Sequence, residues 1–97
     1  MKRQITKAAA LAKLGQFIAV RRLANNMYEI TFENGFALQS YAALVAVKVL
    51  GESAWYFSEY YHDYSTTTAA HCTRFTGYDT KTRRAMMVNG EAVGMTE

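Results

Sequence analysis

Residues 29 to 41 read EITFENGFALQSY, and this stretch decides the fold. On its N-terminal side, apolar and polar residues alternate, so Ile30 and Phe32 share one strand face while Thr31 lies on the other. Asn34 and Gly35 follow, and both tolerate the positive φ that a type I′ turn requires. The stretch therefore predicts a β-hairpin that turns at Asn34-Gly35.

Further strands are predicted on both sides of this hairpin. β-Prone runs cover residues 16–23, 27–32, 36–50 and 54–61, and the third is expected to bend near Ala42-Ala43. Short connections at Asn25-Asn26, Asn34-Gly35 and Gly51-Glu52 separate them. Consecutive strands joined by short turns predict a four-stranded antiparallel meander.

Helices are predicted before and after the meander. A short one covers residues 6–14, with Thr6 as its cap and Gly15 as its stop. A second begins at Ser65 or Thr66 and ends at Gly77, and a third has its cap at Thr80 and its stop at Asn89-Gly90. A hairpin over AMMV-NG-EAV is the alternative to the third helix, but residue propensity favours the helix. The prediction is a single α+β domain over residues 1–97, with its helices on one face of the sheet.

The composition fits a small globular chain, with 51% hydrophobic residues and no proline. A single cysteine cannot form an internal disulfide, so a reducing cytosolic setting is expected. The apolar run from Ala8 to Ala12 is too short for a signal peptide, and no later run approaches a membrane span.

Charge is distributed unevenly along the chain. Residues 1–22 carry six basic and no acidic side chains, whereas residues 23–64 carry one basic and five acidic ones. The net charge of +3 excludes a strongly acidic DNA mimic. The basic end would suit phosphates or an acidic protein partner, and a solvated surface is the plain alternative.

Residues 61–75, YHDYSTTTAAHCTRF, concentrate the residues that carry chemistry. His62, Asp63, His71 and Cys72 can all bind metals, but their spacing matches no zinc pattern. Adjacent His71 and Cys72 do not share a helix face, so a Cys-His nucleophile pair is disfavoured. None of the common phosphate-binding or hydrolase motifs occurs. We therefore predict no metal, no cofactor and no enzymatic activity.

The hydroxyl run at residues 65–68 allows two interpretations. A helix N-terminus with added hydroxyls suits an anion, with Arg74 or His71 nearby. Alternatively, the run caps the helix and joins it to the sheet through Tyr41, as a hydrogen-bonded corner without a ligand. The residues concerned are Tyr41, Tyr64, Ser65, Thr67, Thr68, His71 and Arg74.

Aromatic residues at 55–64 provide a second candidate surface. If residues 54–61 form a strand, Tyr56 and Tyr60 lie on one face and Trp55, Phe57 and Tyr61 on the other, and one face must point away from the helices. Exposed tyrosines suit either protein interfaces or the stacking of nucleic-acid bases. Few basic residues lie in this segment, which favours a protein partner. The predicted interface comprises Trp55, Tyr56 and Tyr60 with a basic rim of Arg21, Arg22, Arg83 and Arg84.

Two segments resemble a family of small uncharacterised proteins common in phage and prophage genomes. Its first pattern, L-x-S-Y-x-T-x-V-A, matches LQSYAALVA at residues 38–46, except that Ala43 replaces the threonine. Its second pattern, Y-S-x-T-T-x-x-H-x-x-x-F, matches residues 64–75. The resemblance extends over about residues 17–76.

The resemblance implies a phage accessory protein in the bacterial cytoplasm, and it implies no known activity. Small phage proteins without catalytic motifs commonly bind and block host machinery. The expected function is therefore inhibition of a host protein complex, as an anti-CRISPR or other anti-defence factor. A nucleic-acid-binding phage protein that uses the basic N-terminal segment is the alternative, and a homodimer is compatible with both.

Overall fold

One seven-stranded mixed sheet organises the chain, and the computed structural model describes all of residues 1–97. The strands are β1 (Arg3–Thr6), β2 (Phe17–Ala24), β3 (Met27–Phe32), β4 (Gly35–Ser40), β5 (Ala43–Val49), β6 (Trp55–Ser58) and β7 (Val93–Thr96). Their order across the sheet is β1-β7-β6-β5-β4-β3-β2. Strands β2 to β6 form an antiparallel meander, and β7 runs parallel to both β6 and β1. The α+β class is confirmed, but the prediction of four strands is wrong.

The predicted long strand over residues 36–50 is two strands. Its chain reverses at Tyr41-Ala42, so that Ser40 pairs with Ala43 across a two-residue turn. Tyr41 makes this turn with a φ of 56°, a left-handed conformation that bulky residues rarely adopt. No glycine, proline or asparagine marks the position, so the sequence pattern predicts one bent strand here.

The hairpin at Asn34-Gly35 is confirmed, although its tip lies one residue earlier. Glu33 and Asn34 form the turn, and Gly35 already belongs to β4, paired with Phe32. A Cβ on Gly35 would collide with the carbonyl oxygen of Lys48 and lie 2.7 Å from Leu14 Cδ2. Glycine is needed here because two elements approach the backbone closely.

Three helices complete the fold: α1 (Lys7–Leu14), α2 (Thr66–Thr76) and α3 (Thr80–Asn89). Thr6 and Ser65 cap the first two as predicted, each accepting a bond from a main-chain amide in the first turn. The third helix is confirmed over the hairpin alternative, but its cap is Asp79 rather than Thr80. Residues 93–96 form the parallel strand β7 and do not fold back as a hairpin.

The helices lie on both faces of the sheet, which corrects the one-face prediction. Ala10 and Leu14 of α1 pack with one core, which includes Val47 and Tyr56. Cys72 of α2 and Met87 of α3 belong to the other core, which includes Leu38, Val45 and Phe57. Adjacent Tyr56 and Phe57 enter opposite cores because side chains alternate along a strand. The protein thus has three layers, and none of its helices is long and apolar enough to cross a membrane.

Candidate functional site

A groove of about 560 Å³ opens between the β4–β5 turn, the loop after β6 and the start of α2. A salt bridge between Lys7 and Glu97, 3.1 Å long, borders it. Its remaining lining residues are Ser40, Tyr41, Ala42, Ala43, Tyr61, Tyr64, Ser65, Thr67 and Thr68. Residues of both sequence patterns therefore line the same concavity.

The buried hydroxyls of Ser40 and Thr68 form the floor of this groove, and the imidazole of His71 lies behind them in the same hydrogen-bond network. Ser40 Oγ lies 2.8 Å from His71 Nδ1 and 3.1 Å from Thr68 Oγ1. Ser65 donates its hydroxyl to Thr68 Oγ1 at 3.2 Å and accepts a bond from the Thr68 amide at 3.1 Å. Tyr41 lies beside residues 64–71, but the hydrogen bonds that join α2 to the end of β4 come from Ser40 and not from Tyr41.

His71 is held as a neutral group in this network. Burial, and then the positive charge of Arg74, lower the pKa of the imidazole below its usual value. All side chains of this hydrogen-bond network are therefore uncharged at neutral pH. The floor fixes the shape of the groove and offers no charged group to a ligand.

Of the hydroxyls considered for anion binding, Ser65 and Thr68 already have partners within the protein. Thr66 and Thr67 remain exposed. Arg74 stands on the last turn of α2, about 13 Å along the helix from its cap at 1.5 Å per residue. The prediction that Arg74 assists an anion at the helix start is therefore wrong, and Arg74 instead complements the negative end of the helix dipole.

Tyr41 is the strained residue of the site. Its amide donates to Asn26 O at 2.8 Å, and its carbonyl accepts from Gln39 Nε2 at 2.7 Å, so the left-handed backbone is fixed on both sides. Its side chain stays 48% exposed, with its ring centroid 6.4 Å from that of His71. Non-glycine residues in this conformation cost about 1–2 kcal/mol and cluster at functional sites.

Replacing Tyr41 with asparagine tests whether the left-handed backbone at this position lowers the stability of the protein. Asparagine tolerates the left-handed conformation, so we expect Tyr41→Asn to leave the free energy of unfolding unchanged or to raise it by up to about 1 kcal/mol. Urea unfolding measures the difference. A loss of more than about 1 kcal/mol would show that the tyrosine ring is itself needed for packing.

Three tyrosines cluster beside the groove. Tyr60 and Tyr64 are 58% and 63% exposed. The ring centroid of Tyr61 lies 4.6 Å from that of Tyr60 and 5.5 Å from that of Tyr64. Strand β6 ends at Ser58 and a turn follows, so the prediction that Tyr60 and Tyr61 lie on opposite strand faces is wrong. The turn gathers these rings on one surface, here called the tyrosine cluster (Tyr60, Tyr61 and Tyr64).

Two residues of the predicted interface are buried, so neither contributes to an exposed surface. Tyr56 lies beneath α1, and its hydroxyl donates to Glu52. Arg83 is completely buried between α2 and α3. The prediction that Tyr56 and Arg83 are exposed is therefore wrong, because helices pack on both faces of the sheet and bury these side chains.

Apart from Tyr60, the remaining predicted interface residues lie away from the groove. Trp55 is half-buried and packs edge-on against Phe36 and Phe75, with ring centroids 5.9 and 6.2 Å away. Arg84 pairs with Asp63. Arg21 and Arg22 are exposed on β2 at the edge of the sheet. The four arginines thus form no continuous basic rim.

Arg83 holds the second helix layer together. Its Nε donates to His62 Nδ1 at 3.1 Å, and its Nη atoms donate to carbonyls of His62, Ala69 and Tyr78 and to two threonine hydroxyls. No carboxylate is among these partners. Burial is the main cause that lowers the pKa of His62, and the Arg83 charge adds to it. Its imidazole is therefore neutral and accepts a hydrogen bond from the guanidinium.

These two histidines predict acid sensitivity. Both pKa values are lowered from 6.5 in the folded protein. Below about pH 6.5 the unfolded chain therefore binds more protons than the folded protein does. The free energy of unfolding consequently decreases as the pH falls through this range. The slope is at most about 1.4 kcal/mol per pH unit for each histidine. Urea unfolding at pH 7.5 and 5.5 measures the loss, and equal stabilities at the two values would contradict it.

The thiol of Cys72 is unsuited to nucleophilic attack. It is fully buried, and burial raises its pKa to about 11, so the thiol stays protonated at neutral pH. No three of the histidine, cysteine, aspartate and glutamate side chains come together as a metal-binding group. The groups of residues 61–75 that are available for binding are therefore their hydroxyls and tyrosines.

Carboxylates neutralise much of the basic N-terminal segment. Lys2 pairs with Glu59, Lys13 with Glu52 and Arg21 with Glu29, at 3.0, 3.3 and 2.8 Å. Together with the Lys7–Glu97 pair, four of the six basic residues have acidic partners. The charge asymmetry of the sequence is thus largely cancelled by the fold.

The architecture defines a three-layer α+β protein with a tyrosine-lined groove. The chain belongs to a family of unknown function, DUF8033, whose model matches residues 7–90. The match includes the β4–β5 turn, the tyrosine cluster and α2, so it covers both sequence patterns that line the groove. Comparison with curated proteins and with solved structures finds no match.

Proposed function

We propose that this chain acts by binding another protein, and that it is a phage-encoded, non-enzymatic inhibitor of a host protein complex in the bacterial cytoplasm. An anti-CRISPR or another anti-defence factor is the specific form of this proposal. The observation that carries the binding role is the exposed tyrosine cluster beside the groove. The phage assignment is supported by the resemblance of residues 38–46 and 64–75 to phage and prophage proteins.

Exposed tyrosines at a concave surface suit a protein partner. Tyrosine offers a large contact area with few rotatable bonds, so its immobilisation loses little entropy. Tyr41 faces the groove from the β4–β5 turn, and Tyr64 faces it from the loop before α2. The neutral floor beneath them is rigid because its hydroxyls are already bonded to each other and to His71. A side chain of the partner can enter the groove while the tyrosines contact its surroundings.

The pairing of charges favours a protein over a nucleic acid. Nucleic-acid binding draws most of its affinity from free basic groups on phosphates. Here four N-terminal basic side chains already contact carboxylates, which would have to release them. Binding to a protein should consequently depend less steeply on salt than binding to a nucleic acid would.

Phage plating tests the inhibitory role. Expression of the chain in bacteria with an active defence system should raise the plating efficiency of a phage that this system restricts, and a Tyr60→Ser/Tyr64→Ser variant should lose the effect. Tyr78→Ser is the matched control, because Tyr78 is also exposed but lies outside the cluster. An unchanged plating efficiency across CRISPR, restriction and abortive-infection strains would refute the inhibitory role.

A further inference from the structure

The outer strand β2 is an open edge of the sheet. It is eight residues long and pairs only with β3, so about half of its main-chain amides and carbonyls point away from the protein. Phe17, Ile18 and Val20 are 59%, 60% and 56% exposed. Long apolar edge strands pair readily with other chains, and proteins usually shorten, charge or cover them.

The sheet around this edge is only partly covered. Helix α1 packs mainly against β1, β7 and the central strand β5, away from the β2 edge. Phe17 contacts Phe32 edge-on, with ring centroids 6.3 Å apart, and Val20 pairs with Ile30. A strand added beside β2 would therefore extend an apolar surface that already exists on β2 and β3.

The charges on β2 select the kind of strand that fits. Arg21 and Arg22 are adjacent, so their side chains lie on opposite faces. Arg21 contacts Glu29, whereas Arg22 bonds only to Asn25 Oδ1 and to the carbonyl of Ala24. Register shifts at both ends confine regular pairing to residues 19–22. Antiparallel self-pairing there would bring four arginines together, which disfavours a second copy.

We propose that β2 binds an extended segment of a partner protein as an added strand, with acidic residues of that segment opposite Arg21 and Arg22. Main-chain hydrogen bonds along the edge supply affinity, as in other β-augmentation complexes. The carboxylates supply selectivity, since they pair with Arg22 and share Arg21 with Glu29. This inference rests on the proposed protein-binding function and assigns it a second contact surface.

Peptide titration tests the inference. The probes are two eight-residue peptides, Thr-Val-Glu-Glu-Val-Thr-Val-Thr and the same sequence with lysine in place of both glutamates, added to the ¹⁵N-labelled chain. We expect the glutamate peptide to shift amide resonances of residues 17–24 and to bind at least tenfold more tightly than the lysine peptide. Arg22→Glu should remove or reverse this preference, and the exposed helix variant Lys81→Glu should retain it.

Three outcomes would overturn the edge-strand proposal. They are no shift at residues 17–24 with either peptide, equal binding of both peptides, and a dimer in sedimentation that Val20→Lys dissociates. An unfolding curve for Arg22→Glu confirms that the variant is folded. If the peptides fail while inhibition that depends on Tyr60 and Tyr64 persists, only this inference falls; if that inhibition is also absent, the proposed function falls with it.

Discussion

Arg83→Met should lower the free energy of unfolding by about 2–5 kcal/mol, because buried acceptors lose the donor that the guanidinium supplies. Methionine fills most of the space but donates no hydrogen bond. The carbonyl oxygen and Nδ1 of His62, which accept at 3.0 and 3.1 Å, would then be buried without their donor. Each buried group left unsatisfied costs about 1–3 kcal/mol.

The neighbouring arginine provides the control for this measurement. Arg84 is exposed and pairs with Asp63 at the surface, so Arg84→Met should cost less than about 1 kcal/mol. Arg83→Lys should also destabilise the protein, because one ammonium group cannot reach partners spread over the loop after β6, α2 and α3. Urea unfolding of the three variants measures these losses of stability. If Arg83→Met and Arg84→Met lost equal stability, Arg83 would not be the link between these elements.

Tyr64→Ala should weaken binding to the host partner by at least about 30-fold, which corresponds to the 2 kcal/mol typical of an interface hot spot. Tyr64 is exposed and caps no buried group, so the unfolding free energy should change by less than about 0.5 kcal/mol. The effect on binding is therefore separable from any effect on folding.

Calorimetry with the purified partner measures the two affinities. Tyr78→Ala serves as the matched control and should bind like the original chain, because Tyr78 follows α2 and lies outside the groove. An unchanged affinity for Tyr64→Ala would place the contact surface elsewhere. A stability loss that accounts for the whole effect would assign Tyr64 a structural role.

Local sequence patterns predict the helices and strands that are bounded by clear turn or capping residues. Alternation in residues 27–32, the hairpin near Asn34-Gly35 and the capped helix before Gly77 are properties of short stretches, and the structure confirms them. The turn at Tyr41 has no such signal, because its conformation is imposed by hydrogen bonds to Asn26 and Gln39. Strands β1 and β7 are four residues each and exist only by parallel pairing with distant segments.

The residues of the groove were also only partly predictable from short stretches of sequence. Its two patterns were visible in the sequence, and so was the possibility that Tyr41 meets the run from Tyr64 to His71. The role of Ser40 was missed, although it occupies the first pattern and now bonds to Thr68 and His71. Arg83 was placed on the surface because arginine is rarely buried. Only the tertiary structure shows the carbonyls and the imidazole that stabilise it there.

The most direct test of the binding role is affinity purification of the tagged chain from its bacterial host, with nuclease treatment and mass spectrometry, beside the Tyr60→Ser/Tyr64→Ser variant. The account predicts a host protein at near-stoichiometric yield that survives nuclease and disappears with the variant. Recovery of nuclease-sensitive material alone would contradict it and favour the nucleic-acid alternative. A host protein recovered equally by both chains would show that the tyrosine cluster is not the contact surface.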